Sequence, residues 1–178
     1  NGSPDVFAFN PATRIMYFAD RVNRGATAID TTTWNVIGTL SPPNCATIGG
    51  SCPSGILIAP DLQKMVLTSR STVLWIYNLL VPGATPTTLT LPAGGGADEL
   101  DYDPITHRVY MGNTTAPYFV TVIDLITESI VGQIPIPTSV EQPRFNPVDG
   151  WIYVNTPDDD SATHAGQAVI VIDPGLGP

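Results

Sequence analysis

Short apolar runs alternate with turn-forming clusters along the whole chain, and the alternation recurs. Four segments align: "PDVFAFNPATRIMYFAD" from Pro4, "SGILIAPDLQKMVLTS" from Ser54, "DELDYDPITHRVYMGN" from Asp98 and "EQPRFNPVDGWIYVNT" from Glu141. In each, a short apolar strand leads into a turn at Pro11, Pro60, Pro104 or Pro147. A second strand of alternating apolar residues follows. Period-two alternation between turn signals predicts half-buried β-strands. The prolines recur at intervals of roughly 43–49 residues, a spacing that signals a repeated supersecondary unit.

A third strand follows each pair: "GATAIDTTT", "TVLWIYNLL", "FVTVIDLIT" and "AVIVIDPG". Asp30, Asn78, Asp124 and Asp173 mark the exits. A short carboxylate or amide there can accept hydrogen bonds from the next backbone N–H groups, so these four are expected to form turns and not to bind ligands. A fourth strand follows three times, as "NVIGTL", "TTLTLP" and "SIVGQIP". After Asp173 the sequence contains none.

This unit, closest in "VTVIDLITESIVGQIPIP" (residues 120–137), resembles the YVTN family of β-propeller repeats, akin to WD40 and quinoprotein-type propellers. The second repeat departs most, with Asn78 in place of Asp and an irregular "LLVPGATP" before its last strand. The resemblance implies an all-β fold, a β-propeller of four-stranded antiparallel blades. Four blades would be visible, over approximately residues 4–40, 53–92, 97–137 and 140–178 of a single propeller or part of one. The last would lack its outer strand, leaving Ala168, Val169, Ile170, Val171 and Ile172 as an open edge that invites pairing. The expected partners are therefore further blades of a longer chain, or copies of this chain in a homo-oligomer or fibre.

Composition narrows the partners and the address. The formal charge is −9 and Lys64 is the sole lysine, so the field repels phosphate backbones and nucleic acid is not expected. The longest apolar runs are broken well before the roughly 20 residues that span a bilayer. No charged leader with an apolar core opens the sequence, so residue 1 is expected to begin a processed or partly observed chain. Cys45 and Cys52 flank a glycine-rich loop, and a disulfide between them would remove about 2.5 kcal/mol of unfolded-state freedom. Sequons at Asn1 and Asn113 offer N-linked glycans. Together these features favour a secreted, extracellular glycoprotein.

Candidate chemistry is sparse. Six residues before the repeat prolines stand Asp5, Ser54, Asp98 and Glu141. In a ring, the three carboxylates would converge on the channel mouth, where they could take up a hard cation such as Ca²⁺. "VEQPRFNP" also resembles the metal-ligating Glu motif of gluconolactonase-type propellers, which implies a metal role for Glu141. The run Asp158, Asp159, Asp160 with His164 reads as a solvated loop, since it lacks the spacing of a dedicated cation loop. His107 reads as a turn residue. No nucleophile elbow, phosphate loop or zinc-helix motif occurs, so no catalytic residue is assigned. The leading expectation is a structural or interaction module that assembles through its sheet edges, more a binding protein than an enzyme. The alternatives are a metal-dependent lactonase or hydrolase, and a carbohydrate binder using exposed aromatics.

Overall fold

The computed structural model describes residues 4–48, 52–91, 95–157 and 168–176. Four antiparallel sheets follow one another along the chain. The first holds β1 (Pro4–Asn10), β2 (Ile15–Asp20), β3 (Gly25–Asp30) and β4 (Asn35–Leu40), in that order across the sheet. A short helix α1 (Cys45–Ile48) leads to the second: β5 (Ile56–Ala59), β6 (Lys64–Thr68), β7 (Val73–Asn78) and β8 (Thr87–Thr90). The third holds β9 (Gly95–Asp103), β10 (Arg108–Thr115), β11 (Phe119–Asp124) and β12 (Ser129–Pro135). The last has three strands, β13 (Glu141–Phe145), β14 (Ile152–Thr156) and β15 (Ala168–Ile172), with β15 at an edge.

Local chemistry explains why each sheet is a meander. After the repeat proline, the residue three positions on adopts the left-handed conformation in every repeat: Arg14, Gln63, His107 and Gly150. That conformation closes the hairpin, and only the fourth repeat meets it with glycine, which carries no Cβ penalty. The exit residues also act as their type dictates. Asp30 accepts from the Thr32 and Thr33 amides, Asn78 from Leu80, Asp124 from Ile126 and Thr127, and Asp173 from Gly175.

The chain divides into two compact units, residues 1–90 and 91–178. In the first unit, Tyr17, Ala19, Ala26 and Ala28 of the first sheet share a core with Ile56, Ile58, Met65, Leu67, Trp75 and Tyr77 of the second. Small side chains on one sheet admit large ones from the other, which is how facing layers reach crystal-like density. The disulfide Cys45–Cys52 is formed and buried in the same core. In the second unit, Tyr110, Val120 and Val122 pack with Ile136, Val140, Ile152, Val154 and Ile172. Asp101 ties its sheets together by accepting the Phe145 amide at 2.8 Å.

The propeller expectation is corrected here. The structure shows four separate antiparallel sheets; among the described residues, strand pairing joins none to another and none closes on itself. Turn residues and alternation specify a meander within about 40 residues, but closure depends on how successive sheets pack, which a repeat pattern does not encode. The channel mouth and the missing rim strand belonged to the propeller expectation alone. The case for assembly with further blades or copies therefore loses its basis, although β15 is an edge strand with Val169 and Val171 exposed.

Candidate functional site

Of the predicted metal ligands, Asp5 lies in β1, Asp98 is buried in β9 and Glu141 is half-buried in β13. Among the described residues, no group of three or more His, Cys, Asp or Glu side chains is placed to hold a metal ion. The neighbouring acids have structural partners. Asp101 accepts from the Tyr102 and Phe145 amides, and Glu99 lies 4.0 Å from Arg144. His107 pairs with the Tyr102 hydroxyl through Nδ1 at 2.9 Å.

Asn113 is fully buried in β10. Its Nδ2 donates to the Gly95 carbonyl and its Oδ1 accepts from Thr121 Oγ1 at 2.7 Å. Asn1 lies outside the described residues, as do Asp158, Asp159, Asp160 and His164.

A site missed in the sequence lies within the first unit. A cleft of about 180 Å³ is lined by Ile15 and Tyr17 of β2, Leu40 at the end of β4, Tyr77 and Asn78 of β7, and Leu79 and Val81 to Ala84 of the loop that follows. Its origin is the irregular second repeat. In the first sheet, β4 begins pairing at Asp30, the last residue of β3; in the second, β8 reaches only Ile76, two residues short of the end of β7. Residues 79–86 leave the sheet instead of reversing tightly, turning at Gly83 with φ of 81°. The side of Tyr77 that a longer β8 would flank is left to this loop. On the opposite wall, Tyr17 pairs with Ala8 on one side and Ala28 on the other, so small neighbours leave space beside its ring.

The lining is apolar apart from two phenols and one amide, and the Asn78 Oδ1 is occupied by the Leu80 amide at 2.9 Å. Tyr77 is only 6% exposed, and its hydroxyl is sealed from solvent with no hydrogen-bond partner among the described residues. Burial pushes its phenol up to about 12 and also raises that of Tyr17, so both remain neutral donors at physiological pH. The signal in the sequence was "LLVPGATP", the departure from the repeat. Which side chains it would uncover depended on the facing sheet.

Fold and site together define an all-β protein of antiparallel meanders with a disulfide-stapled first unit and an apolar cleft within it. A solved structure with the same fold is hydrazine synthase of Kuenenia stuttgartiensis, with a TM-score of 0.79 and 16% identity over 98% of this chain. The alignment covers 52% of that protein, so this chain spans about half its length. At such identity the likeness concerns fold alone, and it lends no support to assembly through sheet edges. No protein-family model and no curated protein sequence matches the chain.

Proposed function

We propose that the chain is a non-catalytic binding module that takes a small, largely apolar molecule into the cleft of its first unit. The observation that carries this reading is the cleft itself, a concave apolar site walled by two tyrosines and formed where the second sheet breaks the repeat. Its volume is close to that of engineered cavities of about 150 Å³ that accept a benzene-sized body. Its lining offers neither a carboxylate nor an imidazole for general acid–base work, which favours binding over catalysis. The disulfide supports a location in an oxidising compartment, in keeping with secretion.

The test is an NMR titration with toluene on the wild type and on Ala84→Phe, which fills the cleft from its exposed loop. Saturable shifts at Ile15, Leu40 and Ala84 in the wild type, lost in the variant, are expected. Absence of saturable shifts at those residues, or identical binding by both proteins, overturns the reading.

A further inference from the structure

We propose that Tyr17 sets the selectivity of this cleft: its hydroxyl donates a hydrogen bond to an uncharged oxygen or nitrogen acceptor on the bound molecule, which is thereby held in preference to a plain hydrocarbon of the same shape. The proposal rests on the cleft being the binding site and adds the residue and the chemistry that choose among ligands.

Two phenols wall the cleft, and they differ. The Tyr77 oxygen is sealed within the protein, out of a ligand's reach. Tyr17 is equally buried as a residue, 6% exposed, yet its oxygen is not sealed in this way. Burial alone raises its phenol, and no hydrogen bond or charge from the described residues acts on it. Its flank is also clear: the cross-strand neighbours are Ala8 and Ala28, and Gly38, paired with Ala28 in the next strand, would carry a Cβ into open space. Tyr17 is thus a nine-tenths-buried side chain on the cleft wall whose polar atom is left to whatever fills the cleft.

Filling the cleft with a wholly apolar body would strip this hydroxyl of water and leave it unpaired, a loss that a ligand acceptor avoids. A phenol is chiefly a donor, because its oxygen lone pair is shared with the ring. The one side-chain amide in the lining also offers donors, since the Asn78 Oδ1 already accepts the Leu80 amide and only its Nδ2 hydrogens remain. Both polar side chains therefore call for an acceptor. An anionic one is disfavoured by the formal charge of −9 and by the lack of any cationic side chain in the lining, whereas an uncharged one carries no such desolvation cost.

The experiment uses benzonitrile and phenylacetylene, which match in shape and differ at the tip, a nitrogen acceptor against a C–H. Both are titrated against the wild type, Tyr17→Phe and Ala84→Phe, with affinities from NMR shifts at Ile15 and Leu40. Tyr17→Phe is expected to weaken benzonitrile about fivefold, the worth of one net hydrogen bond, while phenylacetylene binds equally well or more tightly. Comparing each probe with itself across the two proteins cancels their different hydration in water. The variant removes a hydroxyl bonded to no described protein group, so it is expected to fold as stably as the parent. A second readout needs no variant: in the wild type, the carbon-13 resonance of Tyr17 Cζ should move with benzonitrile and not with phenylacetylene. Ala84→Phe should lose both probes. Equal changes for the two probes on Tyr17→Phe, or a Cζ shift common to both, overturns the proposal while leaving the cleft as a binding site. Failure of both probes to bind the wild type overturns the two readings together.

Discussion

At the scale of single residues, backbone conformation and hydrogen-bond satisfaction account for most of what each position does. Arg14, Gln63 and His107 tolerate the left-handed conformation that Gly150 adopts freely, so the turn is robust to side chain but not indifferent to it. A Cβ at Gly150 would meet nothing closer than the Ile105 methyl at 4.0 Å, so the expected cost is conformational alone. Gly150→Ala should lose about 1 kcal/mol, the penalty of a left-handed L-residue, in urea unfolding. Loss of several kcal/mol would point to a steric role instead. The same residue-level chemistry made the four turn-forming exits legible from sequence: a short polar side chain bonding its own next amides needs no tertiary partner. Asn113 shows the opposite case. Its sequon was visible, whereas its burial among Thr121 and Gly95 arose only from the pairing of β10 with β9 and β11.

At the scale of elements, hairpins are held by carboxylates acting on backbone donors. Asp20, at the end of β2, accepts from the Val22 and Asn23 amides, from Asn23 Nδ2 and from Thr27 Oγ1 at 2.8 Å. Burial alone would push its carboxyl up, but these four hydrogen bonds outweigh burial and hold it below the usual carboxylate range. A depressed folded-state value means that the ionised form stabilises the fold above the unfolded value near 4, and that this contribution fades as pH falls through the folded one. Asp20→Ala should therefore cost about 1–3 kcal/mol at neutral pH, with the gap from wild type narrowing below about pH 4. Urea titrations of both proteins across pH 2–7 check this, and a gap independent of pH would remove the carboxylate from the explanation. Strand positions followed from alternation and turn signals. The length of β8 did not, because the prolines and glycine of "LLVPGATP" announce an interruption without fixing where pairing resumes.

At the scale of the whole molecule, two compact units each bury a core between two sheets, and the first also holds the disulfide. Cys45 and Cys52 are almost wholly buried beside Ile56, Met65 and Trp75, so reduction acts on packing as well as on chain entropy. Replacing both cysteines by alanine should lower stability by about 2–4 kcal/mol, read as an earlier urea midpoint. An unchanged midpoint would show the staple to be incidental. The expectation of a ring arose from treating a repeated sheet as evidence for closed packing of sheets. Proline spacing and strand alternation carry no term for closure, and the predicted convergence of Asp5, Asp98 and Glu141 depended on it entirely.

The sequence by itself determined what is local: strands at the alternating runs, reversals at the prolines and at the Asp and Asn exits, three strands in the last sheet, and a disulfide across a short loop. Each of these needs only neighbours within one hairpin or one loop. Tertiary structure decided what depends on facing surfaces: the separate sheets, the burial of Asn113, and the cleft between Tyr17 and Tyr77. Such features arise where one sheet's side chains meet another's, and the free energy of that meeting belongs to the pair rather than to either stretch of sequence.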